Sequence, residues 1–220
     1  MKKDLDISLK YGLALHTTSP ELGLAVDNFQ GEKRCQTWDL GRELSTQLHL
    51  HLSEFILPQS WSDFSFIAIA KGPGSFTGTR IGVVSARTLA QQLNLPLFAI
   101  STLEAIAWQV GEQEKYSDKL NRIALQMPAQ RGQLFVAIYT RKTQRDQGLI
   151  AELPDTVMSP EKWQDILTQQ QKSYELIKVE GGLGNTASSL LELGNIKQLQ
   201  GQNPSWSEAL PFYGQHPVNI

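Results

Sequence analysis

Apolar and polar residues first alternate, then run together, then recur at helical spacing, and this order predicts the elements. Tyr11–His16, Leu22–Val26 and Lys33–Trp38 are strand-like, separated by turn signals at Thr18-Ser19-Pro20 and Asp27–Gly31. Leu44, Leu48, Leu52 and Ile56 recur every fourth position, which predicts a helix over Arg42–Leu57 closed by Pro58. Phe64–Ala70 is a short run, apolar except for Ser65, the pattern of a strand buried on both faces. A glycine-rich loop follows it, then a helix over Gly78–Leu93, a strand at Leu97–Ile100 and a helix from about Thr102 to Val110.

The second half repeats this order. Arg122–Gln126, Leu134–Arg141 and Leu149–Met158 read as strands. Ser159-Pro160-Glu161 has the residues of a helix start: a capping hydroxyl, proline at the first helical position and an acid in the positive first turn. That helix is expected to reach about Gln171. A strand at Glu175–Val179, a second glycine loop at Gly181–Gly184, a short helix to Leu193, a last strand at Ile196–Leu199 and a turn of helix at Ser205–Leu210 complete the chain. The unit βββαβα thus occurs twice, which predicts two α/β subdomains, residues 1–111 and 112–220, with the boundary near Glu112–Asp118.

Composition narrows the setting. The chain has 220 residues, 40% of them hydrophobic and 19% charged, with a net charge of −2, so no strong field draws it to nucleic acid. Arg141, Lys142 and Arg145 form the densest basic cluster, expected to be a solvated hairpin tip. Cys35 is the only cysteine, which rules out an intrachain disulfide; a reducing compartment and a packed or tolerated thiol are expected. Met1-Lys2-Lys3 is followed by Asp4-Leu5-Asp6 without an apolar h-region, and no apolar run approaches the ~20 residues of a membrane helix. A cytoplasmic protein is expected.

The most informative stretch is Lys71-Gly72-Pro73-Gly74-Ser75-Phe76-Thr77-Gly78-Thr79-Arg80-Ile81-Gly82. A glycine loop opening a helix leaves amides that suit an anion. It is not a P-loop, because Thr79-Arg80 stand where Lys-Ser/Thr would be required. It is not a dinucleotide fingerprint either, because the glycine spacing is wrong and Phe98–Ser101 supplies no carboxylate for a ribose. Gly72, Gly74 and Ser75 remain weak candidates for an anion or cofactor, as do Gly181 and Gly182 in the second loop. The competing explanation is packing. Gly78, Gly82, Ala86 and Ala90, widened by Ser85, form a small-residue ridge along one helix face. Helix-interior glycine costs about 0.5–1 kcal/mol relative to alanine, so a close contact should compensate, within the chain or with a partner.

The central motif resembles the signature of the TsaB (YeaZ) family. The resemblance extends to Ser101-Thr102-Leu103-Glu104 and to Leu13–Thr18 in the first strand, with partial matches at Arg131–Phe135 and Ala209–Tyr213. It implies a duplicated RNase H-like fold of the actin, Hsp70 and sugar-kinase type. It also implies a non-catalytic subunit that pairs with the paralogous TsaD protein. With the ATPase TsaE, that pair transfers a threonylcarbamoyl group to an adenosine beside the tRNA anticodon, with ATP and Mg²⁺ on the partner subunits. In this family the helix after the glycine loop and the one before it join the paired subunit, or a second copy when the partner is absent. Gly78, Arg80, Gly82, Ser85, Ala86 and Ala90 are then the expected interface, and Gly82→Leu should break docking without unfolding the chain.

The chain departs from catalytic relatives at several places. His16 stands at the end of the first strand, where kinases of this fold, and most of the family, carry an acid; neutral imidazole is a poor ligand for hard Mg²⁺. Arg42–Thr46 lacks the histidine pair of TsaD proteins, His49 and His51 point in different directions on a helix, and His216 is in the tail, so no metal site is expected. Met127–Gly132 lacks the family's acidic residue before Arg131-Gly132. The alternative is an enzyme: a small nucleotide-binding phosphotransferase of the sugar-kinase type. The missing acid at His16 disfavours it, and the second glycine loop keeps it in play.

Overall fold

The computed structural model describes residues 10–112, 122–142, 144–170 and 173–214. Strands β1 (Tyr11–His16), β2 (Glu21–Asp27) and β3 (Lys33–Asp39) form an antiparallel meander. Helix α1 (Leu44–Phe55), β4 (Phe64–Ala70), α2 (Phe76–Leu93), β5 (Leu97–Ile100) and α3 (Thr102–Gly111) follow. β4 and β5 add to the meander in parallel, giving the order β3-β2-β1-β4-β5. In the second half, β6 (Arg122–Pro128), β7 (Leu134–Arg141) and β8 (Leu149–Met158) form another antiparallel meander. After α4 (Pro160–Thr168), strand β9 (Glu175–Lys178) joins it parallel to β6, in the order β8-β7-β6-β9, and α5 (Ala187–Leu199) ends the regular structure. The repeated α/β layout is the one expected. The expected boundary falls, apart from Glu112, outside the described residues.

Alternation along the strands dictates the layers. Leu13 and Leu15 of β1 and Ile67 and Ile69 of β4 pack with Leu48 and Leu52 of α1 and Val83 and Ala86 of α2. Their neighbours Ala14, Ala25 and Ala68 face the other way, with Phe66, against Leu190 and Leu191 of α5. Small residues on this face let α5 approach closely: a Cβ on Gly194 would lie 2.8 Å from the Phe66 ring. Helix α3 packs Leu103, Ile106 and Ala107 on Ile123, Leu125 and Phe135 of the second sheet. Trp163 and Leu167 of α4 cover that sheet's far face at Val136 and Ile138.

One expectation changes. Ile196–Leu199 is the last turn of α5, not a strand. Buried residues at 187, 190, 191, 193, 194 and 196 continue one helical period through Gly194, and burial against the first sheet overrides the glycine. The α4 start is as expected: Ser159 caps it, accepting from the Lys162 amide at 3.3 Å, and the helix ends at Thr168. The expected end at Gln171 lies outside the described residues.

Candidate functional site

The glycine loop joins β4 to α2 and lies against the β1–β2 turn. There the glycines meet the chain's own backbone. A Cβ on Gly74 would lie 2.2 Å from the Thr18 carbonyl oxygen, and one on Gly78 would lie 2.2 Å from that of Thr17. One on Gly82 would lie 2.0 Å from Thr17 Oγ1. Any side chain larger than hydrogen at these positions would push the turn away. Thr17 Oγ1 donates to the Gly78 carbonyl at 2.9 Å, and the Ser75 amide donates to the Thr18 carbonyl at 2.7 Å. Ser75 caps α2 by accepting from the Gly78 amide at 3.2 Å.

The small-residue ridge is therefore turned inward. Gly78, Gly82, Ser85, Ala86 and Ala90 are all buried within this chain, the last two in the core below β1 and β4. Of the expected interface only Arg80 faces outward, next to Val84, which is 55% exposed. A leucine at position 82 would test internal packing, not docking, because its side chain would collide with Thr17.

A chain segment from Ala209 to Gly214 straps the loop from its other side. The Phe212 amide donates to the Lys71 carbonyl at 2.6 Å, a Cβ on Gly72 would lie 2.4 Å from the Phe212 carbonyl oxygen, and the Tyr213 ring lies 4.5 Å from that of Phe76. Gly72 thus sits under the strap and Gly74 under Thr18. Ser75 instead lines a cavity of about 450 Å³ at the start of α2, with Ser19, Arg42, Ser45, Thr77 and Gly78.

His16 closes β1 in full burial. Its Nε2 shares a 3.0 Å hydrogen bond with Thr18 Oγ1, which in turn contacts Thr102 Oγ1 at 3.0 Å. Among the described residues its Nδ1 has no partner. Burial depresses the imidazole pKa to about 3, so the ring is neutral at ordinary pH. A neutral imidazole already bonded to Thr18 does not fit the Mg²⁺-positioning role of an acid at this strand end.

A family model described as "TsaD: tRNA N6-adenosine threonylcarbamoyltransferase" matches residues 52–198, more than half of the chain. The Bacillus subtilis protein named tRNA threonylcarbamoyladenosine biosynthesis protein TsaB is 37% identical over 111 residues, which are 50% of this chain and 44% of that one. The Haemophilus influenzae protein of the same name is 26% identical across 94% of both chains. This chain belongs to the TsaB (YeaZ) family. The Escherichia coli TsaB is 32% identical over 62% of this chain and 58% of its own length. The matches to the Bacillus and Escherichia proteins thus span less than two thirds of those proteins. A solved structure described as "YeaZ from Pseudomonas aeruginosa" superposes with a TM-score of 0.76 over 93% of this chain and 99% of that one, at 21% identity, and so shares the fold.

Other expectations fall differently on this TsaB-family fold. In the second glycine loop, Gly181 and Gly182 face open space. The close approach is made instead by Gly184, which sequence reasoning passed over: a Cβ on Gly23 of β2 would lie 1.9 Å from the Gly184 carbonyl oxygen. The Gly184 amide donates to Glu21 Oε2 at 2.8 Å, so this loop fastens the second half to the first sheet. Arg141 is not a solvated tip residue. It donates to the Gly111 carbonyl, pairs with Glu112 and lies 5.8 Å over the Trp108 ring. Cys35 is exposed on the edge strand β3. His49 is exposed, whereas His51 lies 4.7 Å from the Trp38 ring, and His216 is outside the described residues. Among the described residues no group of three or more His, Cys, Asp or Glu side chains is arranged to hold a metal ion, and no helix is long and apolar enough to cross a membrane.

Proposed function

We propose that this chain is a non-catalytic TsaB subunit of a complex that makes threonylcarbamoyladenosine in tRNA. It pairs there with a TsaD-like catalytic paralogue, in the cytoplasm, and a TsaE-like ATPase acts with the pair. ATP and Mg²⁺ belong to those partners, and tRNA is engaged through the assembly. The observation that carries the non-catalytic role is His16: a buried, neutral imidazole occupies the strand end where the phosphotransferases of this fold need an acid. The family relationship supports the pathway.

Docking uses the outward faces of α1 and α2. Arg80 and Val84 on α2 and Leu50 on α1 are exposed, and their apolar members suit a helix-to-helix contact. The same surface forms a homodimer when the partner is absent. Co-purification with a TsaD-like chain from the same organism tests this function. A stable heteromer, with no ATP turnover by this chain alone, is the expected result. Absence of the heteromer together with ATP turnover by the isolated chain would instead establish the phosphotransferase alternative. The cavity at the start of α2 is the observation that favours that alternative.

A further inference from the structure

The start of α2 opens onto the cavity of about 450 Å³ that lies between the β1–β2 turn and the start of α1. Its polar lining comes from three separate parts of the chain. Ser19 belongs to the turn, Arg42 and Ser45 stand just before α1 and in its first turn, and Ser75 and Thr77 begin α2. Leu44 and Ile81 supply an apolar side, and no Asp or Glu lines the cavity.

The donors in this lining lack acceptors. Ser19 is only 6% exposed, and among the described residues its Oγ has no hydrogen-bond partner. A buried hydroxyl in that state is costly, and an acceptor held in the cavity would relieve the cost. The Arg42 guanidinium and the hydroxyls of Ser45 and Thr77 likewise make no hydrogen bond or ion pair among the described residues. Ser75 Oγ accepts from the Gly78 amide, which leaves its own proton to donate. The Ser75 carbonyl takes the Thr79 amide, so the amides of Phe76 and Thr77 are left without an intrahelical acceptor. The aligned peptide dipoles of this 18-residue helix add positive potential at the same end.

One guanidinium, four hydroxyls and a helix N-terminus offer more donors than the two oxygens of a carboxylate accept, and they suit the three terminal oxygens of a phosphate group. We propose that this cavity binds a phosphate group, as inorganic phosphate or as a small phosphate monoester whose organic part lies against Leu44 and Ile81. Binding here is independent of pairing with a TsaD-like chain and of ATP turnover, and it is tested on the isolated full chain. Radiolabelled inorganic phosphate is dialysed to equilibrium against the protein at low salt, with phenyl phosphate or acetate added as competitor. Saturable binding is expected, with acetate at least about tenfold weaker than either phosphate. Stronger competition by phenyl phosphate than by unlabelled phosphate would mark a monoester as the ligand, and the reverse order free phosphate. Arg42→Met and Ser19→Ala should each weaken binding at least about tenfold. Ser19→Ala should also leave thermal melting without phosphate unchanged or higher, because it removes a buried hydroxyl that has no partner. A hydroxyl that served only the fold would instead lower the melting temperature and leave binding intact. Absence of saturable binding overturns the proposal, as does acetate competing as well as phosphate. Undiminished binding by both variants does the same. The competitor comparison decides the matter even if a variant fails to fold.

Discussion

Gly82 and Thr17 are in direct contact: a Cβ on the glycine would lie 2.0 Å from Thr17 Oγ1, the oxygen that donates to the Gly78 carbonyl at 2.9 Å. The most recognisable segment of the chain is thus a seam between α2 and the β1–β2 turn. Gly82→Ala should destabilise the protein by about 1–3 kcal/mol, the usual cost of overpacking. Thr17→Ala removes the colliding oxygen and a hydrogen bond worth about 1 kcal/mol. In the double variant the two costs should fall short of their sum, and urea denaturation of all four proteins measures that coupling. Strict additivity would mean that the contact is not the reason for the glycine.

The outward face of α2 should behave oppositely. Val84 is 55% exposed, so Val84→Arg should leave the urea midpoint nearly unchanged, within about 0.5 kcal/mol. It should weaken association with a TsaD-like partner at least about tenfold, because an unpaired charge would be buried at an apolar contact. Sedimentation or co-purification with an otherwise unmodified partner reads this directly. Undiminished association would move the docking face away from Val84.

His16 makes stability depend on pH. Its pKa is about 3 in the folded chain against 6.5 for the free side chain, so the unfolded chain binds the extra proton between these values. Stability therefore rises with pH across this window and falls as pH drops from 6.5 toward 3. Between pH 7 and pH 5 this residue alone should account for a loss of about 2 kcal/mol. His16→Gln removes the titrating group and keeps a polar partner for Thr18, so its stability should fall correspondingly less over that interval. Parallel urea curves at both pH values for the two proteins check the difference.

The fastening of the two halves rests on Gly23 and Gly184. Gly23→Ala would place a methyl group 1.9 Å from the Gly184 carbonyl oxygen, which is backbone and cannot swing aside. Loss of more than about 3 kcal/mol is expected, together with faster proteolysis between β9 and α5. A melting temperature equal to that of the parent chain would contradict this role.

Much of the architecture was legible in the sequence because it is local. The i+4 leucines of α1, the Ser159-Pro160 start of α4 and the alternation in β1 each follow from a few neighbouring residues. Ile196–Leu199 is ambiguous in the sequence because four residues with apolar ends suit either a strand or a helix, and only the face of the first sheet, at Phe66, chooses. Arg141 looked like a tip residue because its partners, Gly111 and Glu112, are about thirty positions away.

The glycine loop carries the same division. By itself the sequence determined that a strand runs into a glycine turn and a helix, that the acid of a phosphotransferase is absent at His16, and that small residues line one helix face. Spacing specifies which residues share a face, but not what that face meets. Only the tertiary structure decided that the ridge of Gly78 and Gly82 is spent on Thr17, that Gly184 and not Gly181 makes the second close contact, and that Ser19 and Thr77 share a cavity. Each of these depends on backbone atoms brought together from distant parts of the chain, and close packing admits one arrangement there.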